Sequence, residues 1–337
     1  MNQKYVNTIA AVLFCAMPLG ILSCTKEAET KPIRFIFLPN ESSDSRKDAR
    51  NAFKEIIEEA TGKPVEIKTT TDYNIALEAL VAGKADMAYI GAEGYLAAHQ
   101  KNPAIVPLVT NSGPSGTLAD ALYYSFIAVR TEDAEQYRTN SGYDLTKLKG
   151  KIISFVSTSS TSGFIIPATV LASKFGAKNT DELIQNKDFF SSVLFAGSHQ
   201  GAEVNLFRKD ADAAAFAIPG TTGFYELIAG EDFQTGAVYK VVEGAVEPFG
   251  EFAGNEITVI QSIPVLNAPI AINTQTVPAA DLQKIKAALT SDKTADNVHI
   301  FQPMNSDKKG MYPKYSEKTR LVETDDGWYD KIRKLKE

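Results

Sequence analysis

Short apolar runs alternate with amphipathic stretches through the first half of the chain, after its N-terminal segment. The runs are rich in β-branched and aromatic residues, and the stretches between them repeat apolar residues at helical spacing. This pattern predicts strands at 33–38, 65–67, 85–90, 105–109 and 123–129, with helices that begin at 44, 72 and 93. Because the strands alternate with helices, we expect an α/β unit with a parallel sheet.

A second series of the same kind follows a polar stretch at 131–146. Its predicted strands are 152–155, 193–195 and 211–217, with one helix after Ser162 and another at 201–208. Two further predicted strands, 257–260 and 270–273, return the chain from the second unit to the first. Amphipathic helices at 281–289 and 328–335 are expected to complete the first unit. The order predicts two α/β lobes with two crossing strands, one from 32–128 plus 262–337 and an inserted one from 129–261. A cleft between lobes favours a small-molecule site; the alternative is a fixed interface between two α/β domains.

The N-terminus has the pattern of an export signal. Lys4 precedes an apolar run at 9–22, which is shorter than the ~20 residues that span a bilayer. The run ends in Ile21-Leu22-Ser23-Cys24, which resembles the lipobox of bacterial lipoproteins. That resemblance implies a signal peptide at 1–23, lipidation of Cys24 and a polar tether at 24–31. Ordinary signal cleavage without a lipid is the alternative.

Composition narrows the function classes. With 44% hydrophobic and 23% charged residues the chain is ordinary and globular, and its formal net charge of −6 argues against a nucleic-acid partner. The two cysteines, Cys15 and Cys24, both lie at the N-terminus, and the three histidines are far apart in sequence. We therefore expect neither a disulfide nor a metal site in the body of the chain, and no cofactor.

The most informative polar stretch runs from Ser157 to Pro167, between a predicted strand and a predicted helix. It contains Ser160, Thr161 and Ser162 directly before the helix. Backbone N–H groups at a helix start have no intrahelical acceptor, and hydroxyl groups add donors without a fixed charge, so this loop suits an oxyanion. A Ser/Thr-capped helix without a ligand is the alternative, because these residues are preferred N-caps.

Several short motifs, taken in order, resemble the periplasmic phosphonate, phosphite and phosphate binding proteins of ABC transporters. The resemblance covers nearly all of the chain after the signal segment, and its motifs are Asp72-Tyr73, 83–88, Tyr123-Tyr124-Ser125, 160–167, Ala196-Gly197-Ser198-His199, 211–214 and 262–264 with Pro269. It implies a two-lobed periplasmic-binding-protein type II fold, with mixed sheets flanked by helices and two hinge strands. It also implies a ligand pocket formed by Tyr73, Tyr123, Ser160, Thr161, Ser162 and His199.

One departure from the family bears on the ligand. Aminoethylphosphonate binders of the family use two carboxylates against the ligand amine, and Pro219 and Asn267 stand at those positions. Neither side chain carries a charge, so an aminophosphonate is a poor candidate, and Asn267 is retained as a neutral pocket residue. Asp86 and Asp212 each precede a strand of small residues and are expected to mark strand entry rather than the site.

The resemblance implies a lipid-anchored, extracytoplasmic solute-binding protein of an ABC importer, monomeric and without enzymatic activity. It would capture a small phosphorus oxyanion and deliver it to the membrane permease. Other ligands on the same scaffold, such as a phosphate ester or a vitamin-like molecule, remain open. A surface lipoprotein without transport function is a further alternative, and a hydrolase with Ser160 as nucleophile and His199 as base is disfavoured by the lack of a catalytic arrangement around them.

Overall fold

The computed structural model describes residues 31–41, 46–218, 223–304, 306 and 309–336. The predicted signal peptide, Cys24 and Pro219 lie outside the described residues. The fold described is that of the unit Lys31–Glu337. None of its helices within the described ranges is both long and apolar enough to cross a bilayer.

Strands make up two large sheets and two short ribbons. In chain order they are β1 (Ile33–Phe37), β2 (Val65–Thr69), β3 (Met87–Tyr89), β4 (Ile105–Asn111), β5 (Leu122–Arg130), β6 (Arg138–Thr139), β7 (Gly142–Tyr143), β8 (Ile152–Phe155), β9 (Ser192–Phe195), β10 (Ala213–Phe216), β11 (Tyr225–Ala229), β12 (Val238–Val241), β13 (Glu256–Leu266), β14 (Pro269–Asn273), β15 (Phe301–Gln302), β16 (Tyr312–Pro313) and β17 (Leu321–Glu323).

Helices flank the sheets. They are α1 (Lys47–Thr61), α2 (Tyr73–Val81), α3 (Ala92–Lys101), α4 (Ile166–Phe175), α5 (Thr180–Gln185), α6 (His199–Phe207), α7 (Ala279–Leu289), α8 (Asp292–Ala295) and α9 (Asp330–Arg333). Local sequence accounts for their ends: Asp72 caps α2 by accepting the N–H of Asn74 at 2.7 Å, and Gly62 ends α1 with a φ of 70°.

The two large sheets are both mixed. The first sheet has the order β17-β4-β14-β3-β1-β2, and the second has the order β11-β12-β13-β5-β10-β8-β9. Parallel pairing holds β1 to β2 and β3 in the first sheet, and β8 to β9 and β10 in the second, as the strand–helix alternation predicts. The chain passes from the first sheet to the second between β4 and β5, and returns between β13 and β14. The predicted fold class, two sheets flanked by helices, is confirmed.

The two crossing strands belong to the second sheet over their whole length. β5 and β13 pair antiparallel from Leu122 with Leu266 to Arg130 with Ile257. The predicted lobe boundaries, 128/129 and 261/262, therefore fall inside these strands. An apolar run shows that a strand exists but not which strand it pairs with. The hairpin of β11 and β12 was not predicted, although Val238–Val241 has the β-branched and aromatic composition of a strand.

Asp86 and Asp212 each bind a neighbouring strand at the point where their own strand begins, as expected from their positions. Asp86 Oδ2 accepts the backbone N–H of Arg34 at 2.8 Å, and Asp212 Oδ2 accepts that of Ile152 at 2.8 Å. Asp86 Oδ1 also pairs with the Arg34 guanidinium at 2.7 Å. Both carboxylates thus bind the adjacent parallel strand, and neither lines the cavity described below.

The largest buried apolar cluster joins the two sheets. Leu38 and Tyr95, from segments that connect strands of the first sheet, belong to the same cluster as Phe126 and Phe216 of the second sheet. The strand ends beside this cluster face each other across a cavity.

Candidate functional site

A cavity of about 150 Å³ lies between segments of the two sheets. All seven residues predicted for the pocket line it: Tyr73, Tyr123, Ser160, Thr161, Ser162, His199 and Asn267. They come from the start of α2, from β5, from the turn before α4, from the start of α6 and from the β13–β14 turn. The fold therefore brings together residues that are far apart in sequence; their roles in binding remain a prediction.

The hydroxyl-rich loop forms a π-helical turn at Thr161–Ile165 that continues into α4. Ser160 caps it: its Oγ accepts the N–H of Gly163 at 3.1 Å, and its carbonyl accepts the N–H of Ile165 at 3.0 Å. Gly163 is required by space, since a Cβ there would stand 2.3 Å from Cγ2 of Val156. The N–H groups of Thr161 and Ser162 precede the first bond of the turn and have no acceptor within it.

Two hydroxyl groups of this turn already accept a hydrogen bond from the protein. Ser160 Oγ accepts from Gly163, and Thr161 Oγ1 accepts the backbone N–H of Glu93, at the start of α3, at 2.8 Å. A hydroxyl has one hydrogen to donate, and an N–H donor on its oxygen turns that hydrogen elsewhere. Both hydroxyls thus keep a hydrogen to donate, and both residues line the cavity, an arrangement that suits an anion.

His199 stands at the first position of α6 with its ring against Ala217. Its Nδ1 lies 3.1 Å from the backbone nitrogen of Ala217, whose N–H donates to it. Burial lowers the pKa of His199 to about 4. The ring is therefore neutral at physiological pH, and its hydrogen sits on Nε2. A neutral imidazole in this tautomer can donate one hydrogen bond without adding a charge.

Asn40 links two of the predicted residues and was missed by the sequence analysis. Its Nδ2 donates to the Tyr73 hydroxyl, and its Oδ1 accepts the backbone N–H of His199 at 3.0 Å. Tyr73 belongs to the first sheet's segments and His199 to the second's, so Asn40 joins the two sides of the cavity. The available signal was its position directly after β1, because ligands of open α/β sheets bind beyond the carboxyl ends of strands.

Comparisons with known proteins identify the family of the chain. The family model described as "ABC transporter, phosphonate, periplasmic substrate-binding protein" matches residues 35–329. This chain belongs to that family. It is therefore an ABC-transporter substrate-binding protein of the extracytoplasmic, periplasmic type, and the family is a class of transport proteins rather than enzymes.

The individual relatives of this phosphonate-family chain have low sequence identity to it. It is 28% identical over 191 residues to the phosphate-import protein PhnD of Mycolicibacterium smegmatis, a match that covers 57% of this chain and 56% of that protein. Its fold is similar to that of PhnD1 from Prochlorococcus marinus in complex with methylphosphonate, with a TM-score of 0.62 and 14% identity, covering 90% and 97% of the two chains. A binding protein of a Pseudomonas aeruginosa phosphonate transporter gives a TM-score of 0.60 at 17% identity, with 91% and 85% covered.

In this family member the side chain of Asn267 is hydrogen-bonded to the protein itself. It is 2% exposed, and its Nδ2 donates to the carbonyl of Asn111 at 2.8 Å, which ties the β13–β14 turn to the end of β4. Pro219, the other position predicted to lack a carboxylate, lies outside the described residues. Among the residues that the structure describes, no aspartate or glutamate lines the cavity.

Arg46 is the one charged side chain in the cavity lining of the described chain. It is buried, and its Nη1 donates to the carbonyls of Gly310 and Met311, so it fixes the segment before β16 against the start of α1. The periodic pattern placed position 46 inside a predicted helix that in fact begins at Lys47, so no sequence signal distinguished it. Within the residues that the structure describes, no group of three or more His, Cys, Asp or Glu side chains could hold a metal ion.

Proposed function

We propose that this chain captures a phosphorus oxyanion, namely a phosphonate, phosphite or phosphate, in the cavity between its two sheets and delivers it to the permease of an ABC importer. The observation that carries the proposal is the arrangement of the Ser160 and Thr161 hydroxyls, each of which already accepts one backbone N–H and keeps its own hydrogen to donate. Such hydroxyls donate, and a group of donors without a carboxylate beside it favours an anion.

Further hydrogen-bond donors in the cavity also favour an anionic ligand. The Nε2–H of neutral His199 and the N–H groups at the start of the π-helical turn add to the two hydroxyls, and the positive end of the helix dipole lies at that turn. The relatives named for phosphate import and for methylphosphonate binding are consistent with a ligand of this chemistry. Neutral donors hold an anion without fixing it permanently, which a transport protein requires.

Residues that we expect to bind the ligand also join the two sides of the cavity. Two hydrogen bonds join segments of the two sheets across the cavity, from the Glu93 N–H to Thr161 Oγ1 and from the His199 N–H to Asn40 Oδ1. We infer that the ligand favours the closed state because it contacts both sides only when these bonds are made, so closure is a population shift. The permease would then recognise the closed form.

The lipid anchor at Cys24 is a second part of the proposal and rests on the sequence motif alone. Three acyl chains on this residue would hold the protein at a membrane far more firmly than one chain does. Mass spectrometry of the protein made in its own cells should show a lipidated N-terminal cysteine, and Cys24→Ser should abolish it. A mature protein with an unmodified N-terminus would refute the anchor while leaving ligand capture untouched.

Calorimetric titration of the purified chain with phosphate, phosphite and methylphosphonate tests ligand capture. We expect saturable binding of at least one of the three, at one ligand per chain, with the tetrahedral anion sulfate as a selectivity control. Absence of heat with all three and with the larger phenylphosphonate, in a protein that melts cooperatively and that native mass spectrometry shows to be free of a co-purified ligand, would overturn the proposed function.

A further inference from the structure

The cavity is larger than the ligand group that its donors recognise. A water occupies ~30 Å³ in the liquid, so a cavity of about 150 Å³ has room for about five waters. A phosphorus atom with its oxygens replaces only a few of them. The remainder of the space must be filled by solvent or by an organic part of the ligand.

Aromatic side chains surround much of that remaining space. Apart from Tyr73 and Tyr123, the lining contains Tyr89, Tyr124, Phe233, Tyr312 and Tyr315. Within this set, the rings of Tyr124 and Phe233 are nearly parallel, with 5.6 Å between their centroids and an angle of 9°. The Phe233 ring also stacks with that of Phe126, with 6.5 Å between the centroids and an angle of 19°. The two lining rings therefore pack on each other, and a flat ligand group would extend this stack where they border the cavity.

Phe233 occupies its position at a cost in backbone conformation. Its φ is 60°, in the left-handed region that a bulky side chain rarely adopts. The surrounding structure enforces it: the Phe233 N–H donates to the Tyr239 hydroxyl at 2.8 Å, and the Ser262 hydroxyl donates to the Phe233 carbonyl at 2.6 Å. Strain that neighbouring groups hold in place in this way is typical of ligand-binding positions.

Charge limits the type of group that this space accepts. No carboxylate among the described residues lines the cavity, so a cationic substituent would be buried without a counter-charge. Asp232, next to Phe233 in sequence, accepts the Tyr239 hydroxyl at 2.7 Å and is not part of the lining. Among the described residues the one charged side chain of the lining, Arg46, already donates to two backbone carbonyls, and an uncharged flat group needs no ion pair with it.

We propose that Tyr124 and Phe233 form an aromatic subsite that binds a planar, uncharged organic substituent of the ligand. The preferred ligand class is then an organic phosphonate or phosphate monoester with a planar group, rather than a bare phosphate. This inference rests on the proposed function, because it assigns the phosphorus end of the ligand to the donors at Ser160, Thr161 and His199.

Phenylphosphonate and methylphosphonate are the probes, since they share the phosphorus group and differ in the planar substituent. The readout is the ratio of their dissociation constants, measured by calorimetry. In the unmodified protein, we expect phenylphosphonate to bind about tenfold tighter or more. Phe233→Gly should bring the ratio close to one, and glycine adopts a positive φ without strain, so the loop keeps its conformation. Phe233→Leu keeps apolar volume without planarity and should give an intermediate ratio.

Phe195→Leu is the matched control, because this ring is 44% exposed on β9 and lies outside the cavity lining. It should leave the ratio unchanged. Methylphosphonate binding together with equal or weaker phenylphosphonate binding would overturn the aromatic subsite and leave the proposed function standing. An unchanged ratio in a folded Phe233→Gly variant would also overturn it. Failure of both probes and of phosphate to bind would overturn the proposed function, and the subsite with it.

Discussion

The backbone N–H of Ala217 donates a hydrogen bond to Nδ1 of His199 over 3.1 Å. Both residues belong to segments of the second sheet, so this bond does not depend on closure of the cavity. It requires Nδ1 to be unprotonated, and burial, which lowers the pKa of the ring to about 4, acts in the same direction. The bond therefore fixes which ring nitrogen can donate to a ligand.

The tautomer of His199 gives the first prediction. Nitrogen-15 NMR at pH 7 should show a neutral ring with its hydrogen on Nε2, and the ring should not titrate between pH 8 and pH 5. His199→Gln places an amide nitrogen near the position of Nε2 and should retain part of the binding, whereas His199→Ala should weaken oxyanion binding by ~1.5–3 kcal/mol. A ring that protonates with a midpoint above pH 6 would contradict this assignment.

Thr161 should affect closure as well as affinity. Its hydroxyl accepts the Glu93 N–H across the cavity, and we expect it to donate to the ligand at the same time. Thr161→Val removes both bonds with little change of shape, so ligand binding should weaken at least tenfold and small-angle scattering should show a larger open fraction with ligand present. Thr161→Ser keeps the hydroxyl and is the control. If valine and serine behaved alike, the hydroxyl would have no role in either step.

Because of Glu203, the free energy of unfolding should depend on pH, and this effect is unrelated to the ligand. It is buried in α6, and burial raises its pKa to about 8 from an ordinary 4.5, although a 2.6 Å hydrogen bond from the Tyr225 hydroxyl opposes the rise. Between pH 4.5 and 8 the folded state holds a proton that the unfolded state releases. Stability therefore falls as pH rises through this window, by up to about 1.4 kcal/mol per pH unit.

A comparison with Glu203→Gln from pH 6.5 to pH 8 isolates Glu203. His199, whose pKa is lowered, contributes an opposite slope that fades above its ordinary pKa of 6.5 and is the same in both proteins. Urea unfolding at pH 6.5, 7.2 and 8 should give a falling free energy in the unmodified protein and a flatter profile in Glu203→Gln, which can still accept the Tyr225 hydroxyl. Equal slopes for the two proteins would show that Glu203 is ionised in the fold.

Asn267 bears on ligand choice. Because no carboxylate among the described residues lines the cavity, aminoethylphosphonate should bind no tighter than methylphosphonate. Asn267→Asp should not create an amine site, since the new carboxylate would face the Asn111 carbonyl that now accepts the Asn267 amide at 2.8 Å. We expect this variant to lose ~1–3 kcal/mol of unfolding free energy. Calorimetry and urea unfolding check the two statements, and tightest binding of aminoethylphosphonate by the unmodified protein would refute the first.

A local signal predicts the loop at Ser160, Thr161 and Ser162, whereas Tyr73, Tyr123, His199 and Asn267 are implied by the resemblance to the family. Ser160 is a helix cap, and Tyr73 and His199 each open a helix after a strand, so the chain itself marks them as strand-end positions. In an α/β fold those positions converge at one edge of the sheets. All seven predicted residues accordingly line one cavity.

The features that the sequence did not reveal depend on contacts between distant segments. Asn40 acquires its role from His199, 159 positions away, and Arg46 from carbonyls more than 260 positions away. The positive φ of Phe233 depends on Tyr239 and Ser262, and its neighbours in sequence gave no sign of it. The pairing of β5 with β13, which moves the crossing strands into the second sheet, is also a long-range choice between compatible apolar strands.

The hydroxyl-rich turn carries the central claim, and one calorimetric comparison tests it most directly. Ser160→Ala, Thr161→Val and Ser162→Ala are combined in one variant, and Ser157→Ala with Ser159→Ala form the control, because Ser157 and Ser159 belong to the same loop, contact each other at 3.2 Å and do not line the cavity. Both variants are titrated with the tightest-binding of phosphate, phosphite and methylphosphonate after thermal unfolding has shown that they fold. We predict that the control binds as the unmodified protein does and that the triple variant loses at least a hundredfold in affinity. Unchanged affinity in the folded triple variant would contradict the account.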